Sequence, residues 1–98
     1  MRYVYPAILT PDKEVADWYL IRFPDLEGCE TEDGDLYGAL FRAAEVLNEF
    51  MTKLEDTGAK IPEPTDIRNI KVDGDEIVTL IKADTDAYRL IRAKITTM

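Results

Sequence analysis

The fold of this chain is decided by residues 18–34, which read WYLIRFPDLEGCETEDG. The run 18–23 is rich in aromatic and β-branched residues, which favours a strand. Pro24 ends that strand because proline has no N–H to donate to a neighbouring strand. Gly28 permits a turn, and a short second strand is predicted to start at Cys29. The sequence therefore predicts a strand, a corner and another strand here, with a helix beginning directly afterwards.

The corner carries six acidic side chains and no basic one. We call this set the acidic corner: Asp25, Glu27, Glu30, Glu32, Asp33 and Asp35. A run of like charges is usually a solvated surface, and it also attracts partners of the opposite charge. We therefore interpret the acidic corner as the contact site for a basic protein, with a divalent cation site as the lesser alternative.

Length and charge restrict the classes of protein to consider. A chain of 98 residues supports one domain. The net charge of −8 argues against nucleic-acid binding across the surface, because phosphate contacts need lysine and arginine. The single cysteine excludes an internal disulfide, the first residues read as a strand, and no apolar run reaches the length of a membrane span. A cytoplasmic protein is expected.

Two strands are predicted before the helix. Residues 2–10 form the first, in which Pro6 indicates an edge strand or a bulge. The second strand, residues 18–23, is apolar on both faces, and one helix covers only one face of a sheet. We therefore predict a self-association face, and with it a homodimer or higher oligomer, at Trp18, Leu20 and Arg22. The alternative is that these are scattered exposed apolar residues, which are normal on protein surfaces.

The only long helix is predicted from Leu36 to Asp56. Asp35 is its expected N-cap, and Gly58 is its expected stop. Apolar residues recur at spacings of four and three and are predicted to form the buried stripe of the helix: Leu36, Leu40, Ala43, Leu47, Phe50 and Leu54, with Ala44 and Met51 beside them.

The remaining chain is predicted to return to the sheet. Residues 61–65 contain two prolines and read as an extended connector. Residues 67–72 and 76–83 are two strand-like runs, and Asp73-Gly74 between them predicts a hairpin. Residues 84–98 form a mildly basic tail, either a short helix or an unfinished element. The expected class is α+β.

The sequence lacks several residues that enzymes commonly use. It has no histidine and no serine, which excludes Ser/His and Cys/His systems and histidine metal sites. Cys29 has no evident base and is predicted to be a small buried thiol. No glycine-rich phosphate loop is present, and residues 73–76 lack the ligand pattern of a calcium loop. We predict no catalytic residue, cofactor or metal site.

Five segments carry a family resemblance: YPAI at 5–8, WYLIRFPDLEGC at 18–29, Thr31 with Gly34-Asp35, LYGAL at 36–40 with Ala43-Ala44, and IPEP at 61–64. Together these segments resemble the HicB antitoxin family. The resemblance covers residues 3 to about 84, with the segments in the same order. The most specific part is FPDLEGC at 23–29 followed by the Gly-Asp helix start.

The resemblance implies a truncated RNase H-like fold. Three antiparallel strands lead into the helix, and a last strand returns beside the first, parallel to it. In that family the domain neutralises HicA, a small basic toxin that cleaves mRNA, by covering its active face. A true RNase H enzyme needs several carboxylates to hold two metal ions. Because the first strand has no acid, the chain is expected to retain the fold without catalysis.

The expected function is therefore that of an antitoxin-like protein that binds a basic HicA-like toxin. The alternatives are a metal-dependent nuclease of RNase H-like fold and a stand-alone oligomeric binding module without a toxin. Family members usually continue into a DNA-binding segment that represses their own operon. Here the family domain is expected at residues 1–84 and a short tail at 85–98, so DNA binding by this chain is not expected.

Overall fold

The computed structural model describes residues 1–97, with side chains through residue 95, as a four-stranded antiparallel sheet and two helices. The elements in chain order are β1 (Arg2–Pro11), β2 (Trp18–Arg22), β3 (Glu30–Gly34), α1 (Leu36–Thr57), β4 (Ile77–Asp84) and α2 (Thr85–Thr97). The α+β class and the order β-β-β-α-β are as predicted. Of the two alternatives for the tail, the short helix is confirmed as α2.

The sheet has the strand order β3-β2-β1-β4, so β4 lies beside β1 as predicted. The predicted parallel pairing is wrong, because β4 runs antiparallel to β1. The end of α1 lies at the start of β1, where the Tyr3 hydroxyl donates to Glu55 at 2.6 Å. The connector 58–76 then carries the chain back to the other end of the sheet. There Ile77 pairs with Leu9, so β4 begins beside the end of β1 and runs antiparallel to it.

Pro6 does not mark an edge strand, because β1 is a central strand between β2 and β4. The pairing of β1 with β2 begins only at Ile8, opposite Arg22. Pro6 therefore lies in the part of β1 that has only β4 alongside. A residue without an N–H is tolerated in a central strand where no second ladder reaches it.

The predicted ends of α1 are confirmed. The Asp35 carboxylate accepts the backbone N–H of Gly38 at 2.6 Å, which satisfies one free donor of the first turn. At the other end Gly58 adopts a left-handed conformation with φ of 69°, which glycine reaches without strain.

The predicted buried stripe of α1 is wrong in its first two turns. The fully buried residues of the helix are Ala39, Ala43, Leu47 and Met51. Leu36 and Leu40 are 40% and 38% exposed. Small side chains at positions 39 and 43 let the helix backbone approach the sheet, and the larger leucines are displaced outward. The core also includes Leu26 and Cys29 and three residues from one face of β1: Tyr5, Ala7 and Leu9.

The predicted hairpin over residues 67–83 is also wrong, because only its second half is a strand. Residues Ile67–Asn69 form a short 3-10 turn, fixed by the Asp66 carboxylate, which accepts the backbone N–H of Arg68 at 2.9 Å. Asp73-Gly74 forms a turn, but the turn does not join two strands. The N–H of Asp73 donates to the carboxylate of Glu76, within the same turn, at 2.9 Å. A backbone that bonds to its own side chains is no longer free to pair as a strand.

A small network of hydrogen bonds attaches α2 to the rest of the chain. Glu55 accepts hydrogen bonds from the hydroxyl of the buried Thr85 at 2.8 Å and from Arg89 at 3.0 Å. Beyond this attachment, α2 exposes three large apolar residues: Leu90, Ile91 and Ile95. Neither helix described in residues 1–97 is long and apolar enough to span a membrane.

Candidate functional site

The acidic corner divides into carboxylates with structural contacts and carboxylates that face solvent. Asp25 is partly buried and accepts both the N–H and the hydroxyl of Thr65, at 2.8 and 2.5 Å. Asp33 accepts the N–H of Gly34 at 2.7 Å, and Asp35 caps α1. These three carboxylates therefore fix the connector, the end of β3 and the start of the helix.

The other three members, Glu27, Glu30 and Glu32, have exposed side chains. Glu30 pairs with Arg22 in the β2–β3 register, and Glu32 pairs with Leu20. Residues directly opposite each other in antiparallel strands point to the same face of the sheet. Glu30 and Glu32 therefore lie on the sheet face opposite α1, which we call the open face. Of the acidic corner, the structure therefore places Glu30 and Glu32 together on the open face.

The open face also contains the predicted self-association residues. Leu20 is 45% exposed and Arg22 is exposed, whereas Trp18 is half-buried. The ring of Trp18 lies 3.5 Å from the position a Cβ would occupy at Gly34. Trp18 is therefore engaged in packing β2 against the end of β3. Self-association through this face stays a prediction.

A third carboxylate borders the open face. Glu76 accepts the hydroxyl of Thr10 at 2.7 Å and lies 3.6 Å from the guanidinium of Arg22. Hydrogen bonds from the Asp73 N–H and from Thr10, with the nearby charge of Arg22, hold the pKa of Glu76 below its ordinary value. The charged carboxylate of Glu76 therefore has a structural role, because it stabilises the turn before β4.

A second surface was missed by the sequence reasoning. Four large apolar residues in the first two turns of α1 are exposed, and we call them the aromatic patch: Leu36, Tyr37, Leu40 and Phe41. Tyr37 and Phe41 are 73% and 65% exposed. Their rings meet edge to face, with centroids 5.2 Å apart. The signal was visible in the sequence, because apolar residues at i, i+1, i+4 and i+5 cover more of a helix than one buried stripe requires.

The aromatic patch adjoins the acidic corner. Asp33 lies beside Gly38 and lines the same shallow depression as Phe41, Arg42 and Glu45. Arg42 forms an ion pair with Glu45. Asp35 directly precedes the patch and is exposed. Carboxylates and exposed aromatic rings therefore meet at the N-terminal end of α1.

Among the described residues, the carboxylates are dispersed and the one thiol is buried. Within residues 1–97, no group of three or more acidic, cysteine or histidine side chains is placed to hold a metal ion. Burial raises the pKa of the Cys29 thiol to about 12, which disfavours the reactive thiolate. What the surface does present is negative charge beside apolar side chains.

No family model and no curated protein matches this sequence. Solved structures that are similar to it include the following two. The first is a chain of a structure described as a toxin–antitoxin complex from Streptococcus pneumoniae, with a TM-score of 0.80 and 21% identity over 90% of this chain and 73% of that chain. The second belongs to a structure described as the HicA3 and HicB3 toxin–antitoxin complex, with a TM-score of 0.66 and 19% identity over 84% of this chain and 99% of that chain. At this level of identity, what is shared is the fold.

Proposed function

We propose that this chain is a non-catalytic antitoxin of the HicB type, with a truncated RNase H-like fold, that binds and neutralises a small basic HicA-type toxin. The observation that carries the proposal is that its fold matches chains from two toxin–antitoxin complexes, one of them containing HicA3 and HicB3. The segments at 18–29 and 34–40 that resemble the HicB family support the same assignment.

Charge favours the antitoxin role over the toxin role. A ribonuclease must approach the phosphates of its substrate, which requires lysine and arginine on the contact surface. This chain has 12 basic and 20 acidic residues and no histidine to act as an acid or base. An acidic protein of this kind suits a basic, RNA-cleaving partner rather than RNA itself.

Neutralisation would proceed by occupying the surface that the toxin uses to hold RNA. The exposed carboxylates of Glu27, Glu30 and Glu32 carry negative charge, as the phosphates of the substrate do. Opposite net charges would also raise the rate of encounter by roughly 10- to 1000-fold at low salt. Inhibition therefore requires binding only and no reaction on this chain.

The experiment measures binding to the small basic HicA-type toxin that we expect to be encoded beside the gene of this chain, by titration calorimetry at low and high salt. The test variant replaces Glu27, Glu30 and Glu32 with glutamine. Its matched control replaces Glu14, Glu49 and Glu63, which are also exposed, so that both variants lose the same charge.

We expect the test variant to bind more weakly and with a smaller dependence on salt than the control. Equal affinity and equal salt dependence would show that the acidic corner does not contact the toxin. Absence of binding by the unmodified chain would overturn the antitoxin assignment. RNA cleavage by the chain alone in Mg²⁺ or Mn²⁺ would revive the nuclease alternative.

A further inference from the structure

We propose that the aromatic patch on α1 is the docking surface for the basic partner, with Tyr37 and Phe41 as its apolar anchors. This inference rests on the proposed function and adds the location of the interface. It places the apolar centre of that interface on the helical side of the molecule, beside the N-terminal end of α1.

The exposure of the aromatic patch is the first reason. The opposite side of α1 packs on the sheet through Ala39 and Ala43, so the fold directs the patch toward solvent. At about 200 Å² for each aromatic side chain, Tyr37 and Phe41 expose roughly 280 Å² between them, and Leu36 and Leu40 add to this area. The largest apolar patch on a typical monomer covers about 300–600 Å² and is often functional. Aromatic side chains are also enriched among the residues that dominate binding energy.

The second reason is that the side chains of the aromatic patch are already held in place. Its members lie on a regular helix whose first turn is capped by Asp35. The edge-to-face contact of Tyr37 and Phe41 further restricts the two rings. Binding through side chains that are already held in place loses less conformational entropy than binding through mobile ones.

The charges around the aromatic patch indicate which kind of partner binds there. Asp33 and Asp35 border the patch, and the one guanidinium that lines the neighbouring depression, on Arg42, is already paired with Glu45. A second copy that docked patch to patch would bring these carboxylates against their own counterparts, which costs energy. A partner with lysine or arginine around an apolar pocket would pair with the carboxylates. Its cations could also lie over the exposed rings. The patch therefore fits a basic protein.

The test uses the full chain and the HicA-type toxin that we expect to be encoded beside its gene. The patch variant is Tyr37→Ala with Phe41→Ala. The control variant is Leu90→Ala with Ile95→Ala, which removes two side chains of comparable exposure from α2. We expect the patch variant to bind at least about 50-fold more weakly, the loss typical of two anchor residues, and the control to stay within about threefold. The conservative pair Tyr37→Phe with Phe41→Tyr should retain most of the affinity.

Each other outcome overturns the inference in a distinguishable way. If the unmodified chain binds the toxin and the patch variant binds equally well, the interface lies elsewhere and the proposed function survives. If the unmodified chain does not bind, both fail. If the patch variant instead converts an oligomer into a monomer, measured by light scattering, while toxin binding is unchanged, the occupant is a second copy. Far-ultraviolet circular dichroism and thermal unfolding check that all variants are folded.

Discussion

Replacing Glu55 with glutamine should loosen the attachment of α2. The Glu55 side chain is only 20% exposed, and its two oxygens accept hydrogen bonds from three residues in two elements, β1 and α2. Oε2 accepts from Tyr3 at 2.6 Å and Thr85 at 2.8 Å, and Oε1 accepts from Arg89 at 3.0 Å. Glutamine has nearly the same shape, but it has no charge, and its NH₂ group would face one of these donors.

The magnitude follows from the bond to the guanidinium of Arg89. A hydrogen bond between charged groups contributes about 1.5–3 kcal/mol, and a neutral one contributes about 1 kcal/mol. Arg89 retains Asp56 as a second partner at 2.9 Å, which compensates in part. The difference between the two kinds of bond is about 0.5–2 kcal/mol, and we expect the free energy of unfolding to fall by that amount. Urea unfolding followed by circular dichroism measures this change, with the exposed Glu49→Gln on the same helix as the control.

The pH dependence of stability gives a second readout for the same variant. Burial raises the pKa of Glu55, but hydrogen bonds from Tyr3, Arg89 and Thr85 outweigh this effect and hold the pKa below its ordinary value of 4.5. A lowered folded-state pKa contributes stability that is present above the unfolded pKa and is lost as pH falls through the folded pKa. The glutamine variant should therefore lose less stability than the unmodified chain below about pH 4.5. The reasoning would be refuted by a stability loss equal to that of Glu49→Gln, together with an unchanged dependence of stability on pH below about pH 4.5.

Three further predictions concern the elements that decide the fold. Phe23→Ala should cost about 3–5 kcal/mol in urea unfolding, because Phe23 is buried in the core beneath the corner; a loss below about 1 kcal/mol would contradict that burial. Asp35→Ala should cost about 0.5–2 kcal/mol, since it removes the acceptor of the Gly38 N–H, whereas Asp35→Asn should be close to neutral, and equal losses would argue against capping. Cys29 should resist alkylation by iodoacetamide at pH 8 in the folded chain and react in urea, because burial raises the pKa of its thiol to about 12; rapid labelling of the folded chain would contradict this.

The features that sequence predicted well depend on short-range chemistry. The strand at residues 2–10, the proline after Phe23 and the two caps of α1 each depend on neighbouring residues. The parallel β4 was wrong because its direction depends on where the connector 58–76 crosses the molecule. That path is set by contacts distant in sequence, such as that between Asp25 and Thr65.

The sequence also predicted the candidate site only in part, for a similar reason. Sequence identified the acidic corner, but it did not separate Asp25, which holds the connector, from the exposed Glu30. The aromatic patch was missed because helical periodicity assigned Leu36 and Leu40 to the core. The choice between two apolar sides of one helix depends on which side fits the sheet, and here the small Ala39 and Ala43 decide it.

The most direct test of the antitoxin assignment is a titration of RNA cleavage by the small basic HicA-type toxin that we expect to be encoded beside the gene of this chain. We predict that cleavage falls in proportion to the amount of chain added and stops at a fixed stoichiometric ratio, with the RNA itself unbound by the chain. Cleavage that continues unchanged in an excess of folded chain would contradict the account.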